Sequence, residues 1–261
     1  MPVVTFASTK GGSGKTTASL IFATRLFENG AKVILIEGDP NRAIDEWARK
    51  AGYPVIDAGL RDPDGVPPVR IDTADEAIAV IEERMGDSRL LVITTDGLEE
   101  SLMEWIEAAT AVAPFVICDP EGSGNMWLTE AMAQSDLVIV PVQPSTLDLT
   151  QAAKMFKLIE KNGKKVRRII PSRILLTRTA VGAVATADEN ETRPMLEKTG
   201  TLMKVSLGDR PAFRAIFKRD TMLNDLADTR SVEQARLNAQ AFSEEIISIL
   251  GEIKANQSEA A

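Results

Sequence analysis

The sequence predicts an α/β protein with a twisted, mostly parallel β-sheet and helices on both faces. Three observations support this class: short apolar runs rich in β-branched residues, amphipathic segments between them, and a length of 261 residues with 44% hydrophobic residues. Continuous apolar runs are typical of parallel strands, which are buried on both faces. The sequence contains no internal repeat, and neither of its two irregular stretches is long enough to separate domains. We therefore expect residues 1–261 to form one domain.

The first predicted strand, Val3–Ala7, is followed by a glycine-rich turn and then by an apolar periodicity that predicts a helix over Thr16–Glu28. Four prolines predict an irregular surface segment over Tyr53–Val69, and Arg178–Asn190 is expected to be a second long loop. Apolar runs predict further strands at Val33–Ile36, Leu90–Thr94, Phe115–Cys118, Leu137–Val140, Ile174–Leu176 and Leu202–Val205. Helical periodicity predicts further helices at Arg42–Lys50, Ala74–Met85, Leu98–Ala111, Gly124–Ala133, Leu147–Glu160, Ala212–Lys218 and Val232–Ile253.

Composition excludes several function classes. The chain contains no histidine, which removes Ser-His-Asp and Cys-His catalysis and nearly every mixed zinc site. Its single cysteine, Cys118, cannot form a disulfide within one chain, so a reducing, cytoplasmic compartment is expected. No run of about eighteen apolar residues is present, and the first residues, MPVVTFAS, lack the basic region of a signal peptide. We therefore expect no membrane association.

Charge is distributed unevenly along the chain. The formal net charge is −8, yet residues 151–220 carry 16 Lys and Arg residues against 7 Asp and Glu residues. A basic face on an acidic body would attract a polyanion such as DNA. The alternative is that these cations cluster by chance and remain solvated.

A glycine-rich loop, KGGSGKTT at residues 10–17, lies between the first predicted strand and the first predicted helix. Its glycines allow backbone N–H groups to turn toward an anion, and the helix N-terminus adds partial positive charge. In this pattern Lys15 reaches the β- and γ-phosphates, and the hydroxyl of Thr16 binds Mg²⁺. The sequence therefore predicts a P-loop site for a nucleoside triphosphate. The residues expected to line it are Gly11, Gly12, Ser13, Gly14, Lys15, Thr16 and Thr17.

A second lysine in this loop narrows the class of P-loop protein. With Lys10 at its start, the segment resembles the deviant Walker A motif, KGGxGK[ST], of the ParA/MinD superfamily of ATPases. The resemblance implies a P-loop NTPase fold, ATP as the nucleotide, and a homodimer in which two subunits enclose two ATP molecules. It also implies that Lys15 contacts the phosphates of its own subunit, whereas Lys10 reaches the phosphates bound by the partner subunit.

Two acidic residues resemble further groups of that superfamily. The strand Val33–Ile36 is followed by EGDPN, similar to the switch I motif D-x-D-P-Q, with Glu37 replacing the first aspartate. By this resemblance Asp39 positions the attacking water, although an aspartate before Pro40 is also typical of a simple turn. Asp119 resembles the Walker B aspartate, and DPEGSG follows where the superfamily has the D-T-P-P of switch II. The resemblance thus implies the catalytic residues Lys10, Lys15 and Asp39, and a Mg²⁺ site of Thr16, Asp39 and Asp119, partly through water.

Other features of the sequence indicate which branch of the superfamily the chain resembles. One cysteine excludes the iron-protein branch, which needs two cysteines per chain at its cluster. The amphipathic tail Phe242–Ile253 carries glutamates on its polar side, so we expect it to pack on the core rather than on anionic lipid. EGDPNRAIDEW resembles VirC-type conjugation ATPases, and GDRPAFRAIF resembles small plasmid ParA proteins. The first strand starts almost at the N-terminus, so no N-terminal DNA-reading domain is expected.

The resemblance implies a Mg²⁺-dependent ATPase that dimerises around ATP, binds DNA without sequence preference, and acts in partition or positioning of a plasmid or chromosome. It implies association with the nucleoid in the ATP state, and slow hydrolysis until a ParB-like centromere-binding partner accelerates it. Three alternatives remain open: a VirC-like accessory ATPase of DNA transfer, a metabolic ATP-dependent ligase on the same fold, and a cargo-positioning protein without DNA affinity. The candidate DNA contacts are Arg210, Arg214, Lys218 and Arg219, with a second basic run at Lys164, Lys165, Arg167 and Arg168.

Overall fold

A computed structural model gives the fold of residues 1–59, 67–98, 100–122, 125–181 and 185–259. Its strands, numbered along the chain, are β1 (Val3–Phe6), β2 (Val33–Glu37), β3 (Val55–Asp57), β4 (Leu90–Thr94), β5 (Phe115–Asp119), β6 (Leu137–Val142), β7 (Ser172–Thr179) and β8 (Leu207–Gly208). Its helices are α1 (Lys15–Glu28), α2 (Ala43–Lys50), α3 (Ala74–Met85), α4 (Leu102–Val112), α5 (Met126–Gln134), α6 (Thr146–Val166), α7 (Ala187–Glu197), α8 (Pro211–Arg219) and α9 (Arg230–Glu259).

The strands form a parallel sheet with β1 near its centre. In the described part of the chain the strand order is β3-β4-β2-β5-β1-β6-β7-β8, and every neighbouring pair is parallel. Helices connect the strands and cover both faces, which confirms the predicted α/β class. The carboxyl ends of β1, β2 and β5 meet at one edge of the sheet, where open parallel sheets bind their ligands.

Each face of the sheet has its own apolar core. On one face Phe6 of β1, Phe22 of α1 and Phe242 of α9 pack with ring centroids 6.3 to 6.5 Å apart. On the other face Ile81 of α3 and Trp105 of α4 are buried in a separate cluster. Phe242 is fully buried, so the C-terminal helix packs on the core as expected. No helix of the described residues is long and apolar enough to cross a bilayer.

One strand lies where the sequence predicts irregular structure. β3 forms within Tyr53–Val69 because Val55 and Ile56 are buried, and the strand pairs with β4. An edge strand needs backbone pairing on one side only, so the prolines around β3 do not prevent it. Residues 60–66 of this stretch lie outside the described residues.

One helix also begins inside a predicted loop. α7 starts within Arg178–Asn190, where the hydroxyl of Thr186 accepts a hydrogen bond from the backbone N–H of Glu189 at 3.1 Å. The Glu189 carboxylate also accepts the backbone N–H of Ala180 at 3.2 Å. The Thr-x-x-Glu spacing is typical of a helix start, and it is the sequence pattern from which the beginning of α7 could have been predicted.

The last predicted strand, Leu202–Val205, is wrong in position. The strand at this edge of the sheet is β8, and Leu202 makes an isolated bridge to Ile174. The backbone N–H groups of Lys204 and Val205 instead donate to the carboxylate of Glu245 on α9, both at 2.7 Å. A side chain distant in sequence therefore takes the hydrogen bonds that a strand here would have made with its neighbour.

Some helix ends differ from the predicted ones by several residues, whereas α3 has the predicted bounds Ala74–Met85. α6 extends to Val166, well beyond its predicted end. α5 begins at Met126 because the side chain of Asn125 caps it, accepting a backbone hydrogen bond at 3.0 Å. Gly124, the predicted first residue of that helix, and residues 182–184 of the second predicted loop lie outside the described residues. Such differences arise because capping contacts, rather than apolar periodicity, set where a helix begins and ends.

Candidate functional site

The glycine-rich loop lies between β1 and α1 at the carboxyl edge of the sheet. Gly12 and Gly14 have φ values of +77° and +92°, a region that glycine adopts without strain. A Cβ at Gly14 would also lie 3.2 Å from Thr177 of β7. The hydroxyl of Thr177 donates to the carbonyl of Ser13 at 2.6 Å. The shape of the loop therefore depends on its own glycines and on contact with β7.

The loop surrounds a cavity of about 150 Å³. α1 begins at its edge and has no acidic residue in its first turn, so the partial positive charge of the helix N-terminus is not neutralised there. A concave site at a helix N-terminus suits a phosphate group. The structure brings all the predicted nucleotide-binding residues to this cavity. Its lining residues are Lys10, Gly11, Gly12, Ser13, Gly14, Lys15, Thr16, Thr17, Asp39, Gly122 and Arg178.

Lys15 and Asp119 form a buried ion pair beside the cavity. Lys15 Nζ lies 3.1 Å from Asp119 Oδ1 and 3.4 Å from the hydroxyl oxygen of Thr16. Burial raises the pKa of the Asp119 carboxyl, and the positive charge of Lys15 opposes that rise. Within the described residues, the second carboxylate oxygen of Asp119 and the hydroxyl of Ser13 are buried without a hydrogen-bond partner.

These groups have the chemistry that a magnesium ion requires. Mg²⁺ binds oxygen ligands, often through its own water molecules. The unpartnered Oδ2 of Asp119 offers one such oxygen, and the hydroxyl of Thr16 offers another. The Lys15 ammonium lies within reach of both residues, so a positive charge is already stabilised between them. Thr16 and Asp119 therefore fit the metal-binding roles that the resemblance implies.

Asp39 reaches the cavity from switch I, which we define as Glu37–Arg42. Its Oδ1 accepts hydrogen bonds from the backbone N–H and the side-chain amide of Asn41, both at 2.9 Å. Its carbonyl accepts the backbone N–H of Arg42 at 2.9 Å. Asp39 therefore occupies the turn that the local sequence indicates, and in the same position it lines the nucleotide cavity.

Glu37 replaces an aspartate of the switch I motif and fixes the start of α2. Its carboxylate accepts the backbone N–H groups of Ile44 at 2.9 Å and of Asp45 at 2.8 Å. The side chain is fully buried, and this burial raises the pKa of Glu37 to about 8. The nearby Asp119, which is in register with Glu37 on β5, adds to the rise. The longer glutamate side chain thus connects β2 to α2.

Arg42 ends switch I and holds a buried cluster of acids. Its backbone is left-handed, with φ +51°, and its guanidinium contacts Asp96 and Asp57, each at 2.5 Å. Burial disfavours the charge, but the carboxylates of Asp96 and Asp57 outweigh it and raise the pKa of Arg42 above its ordinary value. Asp57 ends β3 and Asp96 follows β4, so Arg42 joins switch I to both strands. No local sequence pattern indicates this cluster, because its members are far apart along the chain.

Trp127 of α5 packs directly against switch I. A Cβ at Gly38 would lie 2.6 Å from the Trp127 ring, so only glycine fits beside the indole. The indole N–H donates to the hydroxyl of Thr95 at 2.8 Å, and the backbone N–H of Thr95 donates to the carbonyl of Glu37 at 2.9 Å. This contact therefore connects switch I to the start of α5.

Lys10 is held by its own subunit. Its Nζ lies 2.7 Å from Asp148 Oδ1, and the Lys10 side chain is 36% exposed. Two nearby side chains also hold the loop: Gln143 donates to the carbonyl of Gly12 at 2.7 Å, and Gln151 accepts the hydroxyl of Thr9 at 3.3 Å. Sequence reasoning missed these contacts. The available signal was the position of Gln143 directly after the buried strand β6, at the ligand-binding edge of the sheet.

A second cavity, of about 220 Å³, adjoins the loop on the side of β7 and α8. Arg210 and Arg214, two of the predicted DNA contacts, line it together with Gly14 and Thr17. Arg210 is the residue before α8, and its Nε donates to Asn238 at 3.2 Å. The guanidinium of Arg214 pairs with Asp209.

The other two predicted DNA contacts, Lys218 and Arg219, lie at the end of α8. α8 begins at Pro211, so Arg214 and Lys218 are one helical turn apart, whereas Arg210 precedes the helix. The four cations therefore extend from the edge of the loop to the far end of α8.

Comparison with known proteins agrees with this architecture. The family model described as the CobQ/CobB/MinD/ParA nucleotide binding domain matches residues 4–200. The chain is 26% identical to Protein ParA of Rhizobium radiobacter over 253 residues, covering 97% of this chain and 99% of that protein. It is 25% identical to Protein virC1 of Rhizobium rhizogenes, covering 95% and 96% of the two chains.

A solved structure shares the fold at lower sequence identity. The ATP complex of a Cyanothece McdA variant superimposes with a TM-score of 0.69 at 15% identity, covering 94% of this chain and 96% of that chain. The family model spans most of the present chain and includes the loop, switch I and Asp119. The chain therefore belongs to the CobQ/CobB/MinD/ParA nucleotide-binding family and is a ParA/MinD-like ATPase.

Proposed function

We propose that this chain is a Mg²⁺-dependent ATPase that dimerises around ATP, binds DNA without sequence preference, and partitions or positions a DNA molecule. The observation that carries the proposal is the cavity at the end of β1, where the KGGSGKTT loop, Asp39 and Gly122 converge. Glycines, a helix N-terminus and a buried lysine together suit a triphosphate. The match to the ATP complex of McdA supports ATP as the nucleotide, and the resemblance to the ParA/MinD superfamily supports a role in partition.

In this proposal the cavity residues divide the work of hydrolysis. Lys15 contacts the phosphates of its own subunit, and Thr16 and Asp119 hold Mg²⁺, which neutralises phosphate charge when bound. Asp39 orients the attacking water. Among the described residues, Asp39 is the one carboxylate that lines the cavity, so hydrolysis by the isolated protein is expected to be slow. A ParB-like centromere-binding partner would accelerate it.

Lys10 is the residue proposed to join two subunits. It lines the nucleotide cavity, and its side chain is partly exposed, so it can exchange Asp148 for another anion. Phosphates bound by the partner subunit would be that anion. This exchange makes dimerisation depend on ATP, because the phosphate charge is fully neutralised only when both lysines are present.

The DNA contacts belong to the dimer in this proposal. Arg210, Arg214, Lys218 and Arg219 would each contribute mainly by releasing counterions from DNA phosphates. Two of them line the cavity beside the loop, so DNA affinity can respond to the nucleotide. Pairing two subunits about doubles the number of contacts, which associates the ATP dimer with the nucleoid.

The test is DNA binding without nucleotide, with ADP and with ATP, measured by fluorescence anisotropy on a random-sequence duplex at about 50 and about 200 mM salt. We expect DNA binding only in the presence of ATP, and light scattering should then show a dimer. Replacing Arg210, Arg214 and Lys218 by Ala should abolish DNA binding and leave the dimer intact. A matched control replaces three exposed cations elsewhere, Lys50, Arg84 and Lys254. Absence of DNA binding in every nucleotide state would contradict the proposal and favour a metabolic ligase or a cargo-positioning protein without DNA affinity.

An accessory role in DNA transfer is the second candidate, because the match to virC1 covers nearly the whole chain. This candidate predicts preference for one DNA sequence. Binding to a transfer-origin fragment that survives an excess of random duplex would favour it over partition.

A further inference from the structure

A surface groove along α6, beside β7, consists of two adjoining cavities. Its upper part is a cavity of about 470 Å³ between α6, β7 and α7, lined mainly by apolar residues such as Ala152, Ile174 and Leu196. Its lower part, of about 640 Å³, lies between the second half of α6 and residues 167–172. Phe156 lines both parts, so the two cavities adjoin. We call this feature the α6 groove.

The lower end of the α6 groove is positively charged. Lys157, Lys164, Arg167 and Arg168 line it, against Glu160 as the one acid among the described lining residues. Glu160 already pairs with Lys164 at 2.6 Å. α6 carries five lysines in all. The lower end of the α6 groove therefore carries net positive charge, although the overall net charge of the protein is −8.

Ile169 lies at the same end of the groove, and the residues next to it in the chain fix its position. Ile169 is 90% exposed, whereas the next residue, Ile170, is 5% exposed. The preceding Arg168 is anchored, because its guanidinium donates to the carbonyls of Ala133 and Ser135, both at 2.7 Å. Ile169 is therefore held outward by an anchored turn beside an open apolar cavity. Because Ile169 itself lines the lower cavity, its exposed side chain and the cavity form one contiguous apolar surface, and surfaces of this kind mark interaction sites.

We propose that the α6 groove is a docking site for an acidic amphipathic helix of a partner protein. Apolar side chains of the helix would fill the two cavities and contact Ile169, while its carboxylates would pair with Lys157 and Arg167. From Leu149 to Arg167 the groove spans about 27 Å at 1.5 Å per residue, the length of a helix of about 18 residues.

The shape of the groove favours a helix over two other anionic partners. A DNA backbone has no apolar groups to fill the cavities or to cover Ile169. A bilayer surface contacts protruding apolar side chains, but it does not fill a groove of this depth. Charge complementarity alone would allow all three, so the apolar cavities decide between them.

The α6 groove is separate from the nucleotide cavity. Its lower cavity lies at residues that precede β7, hence at the amino end of that strand, whereas the glycine-rich loop lies at the carboxyl end of β1. Neither part of the groove shares a lining residue with the nucleotide cavity, so a helix docked here leaves that cavity open. Binding of a helix in the α6 groove can therefore be tested separately from nucleotide and DNA binding.

The test uses two fluorescent peptides of about 18 residues and the full chain without nucleotide. One peptide has leucines at helical i, i+3, i+4 and i+7 spacing with glutamates elsewhere, and the other has the same composition with the leucines spread around the helix. In anisotropy titrations we expect the first to bind at least about tenfold more tightly. Ile169→Ser, and Lys157→Glu with Lys164→Glu, should each weaken that binding at least about tenfold.

Matched variants and competing ligands complete the test. Leu237→Ser removes a leucine that is 57% exposed on α9, and Lys50→Glu reverses an exposed charge elsewhere; both should leave peptide binding unchanged. Circular dichroism checks that each variant is folded. Equal binding of the two peptides would overturn the proposal. So would an absence of peptide binding while random duplex DNA, or vesicles of phosphatidylglycerol, bind in a manner that Ile169→Ser and the lysine variants abolish.

Discussion

Lys10 Nζ and Asp148 Oδ1 lie 2.7 Å apart within one subunit. Asp148 is itself held in place, because the hydroxyl of Ser145 donates to its other oxygen at 2.8 Å. The lysine proposed to serve the partner subunit thus has an anionic partner in its own. Since Lys10 is partly exposed, solvent screens this pair, and exposed pairs contribute about 0.2–1 kcal/mol.

Neutralising Asp148 should release Lys10 for the dimer. Asp148→Asn keeps a hydrogen-bond acceptor for Ser145. We expect this variant to form ATP-dependent dimers at a protein concentration about two- to fivefold lower than the original chain requires. Lys10→Ala should bind ATP but remain monomeric. Light scattering with ATP measures both, and Asp228→Asn, which removes an exposed acid elsewhere, is the control. A weaker dimer in Asp148→Asn would mean that Asp148 stabilises the dimer directly.

Lys15 should carry nucleotide affinity. Its ammonium is buried next to Asp119, where charge-assisted contacts to phosphate contribute about 1.5–3 kcal/mol. We therefore expect Lys15→Ala to bind ATP about ten- to a hundredfold more weakly in calorimetric titration. Lys50→Ala, at an exposed position, is the control. Unchanged affinity in Lys15→Ala would contradict the assigned phosphate loop.

Asp39 should be needed for hydrolysis and not for ATP binding. We expect Asp39→Ala to retain ATP affinity and to accumulate as a dimer on sizing chromatography, while phosphate release stops. Asn41→Ala separates the two roles of Asp39, because it removes the side-chain turn contact and keeps the carboxylate. Equal loss of turnover in both variants would show that Asp39 acts only through the turn.

Gly38 should tolerate no side chain. A Cβ at this position would lie 2.6 Å from the Trp127 ring, and overpacking of this kind costs about 1–3 kcal/mol. We expect Gly38→Ala to lower the free energy of unfolding by that amount in urea titration, and Trp127→Leu to recover part of the loss. Gly251→Ala is the control, since a Cβ there meets no atom within 4 Å. Equal stability of Gly38→Ala and the original chain would contradict this packing.

Cys118 should be inert while the protein is folded. It is fully buried, and burial raises the pKa of its thiol to about 12, so the reactive thiolate is scarce at neutral pH. We expect iodoacetamide to label the native chain far more slowly than the chain in urea, with the native rate still rising as the pH is raised above the ordinary thiol pKa of about 8.5. Mass spectrometry follows the reaction. Rapid native labelling at neutral pH would contradict the buried position of β5.

The sequence predicts most of this fold because parallel strands are continuously apolar. Val33–Ile36 and Leu90–Thr94, for example, lie within or coincide with β2 and β4. Errors occur where a distant side chain decides the outcome. Lys204 and Val205 bond to Glu245 on α9, so a short apolar run there does not form a strand. No local pattern contains that information.

The nucleotide loop could be predicted because its chemistry is contiguous in sequence. Residues 10–17 line one cavity as expected, and Asp39 reaches it as the superfamily resemblance implies. The partners of these residues could not be found in the same way. Asp148 meets Lys10 across 138 positions, and Arg42 meets Asp96 across 54, so only the folded sheet brings them together.

The central place of β1 has a consequence during synthesis of the chain. Val3 pairs with Val116, and Val4 pairs with Leu137, so β1 is synthesised well before either of its neighbours. Until β6 has emerged, one backbone edge of β1 stays open and can join foreign strands. Lys15 likewise cannot meet Asp119 before residue 119 exists. The nucleotide site is completed later still, because Arg178 of β7 also lines its cavity.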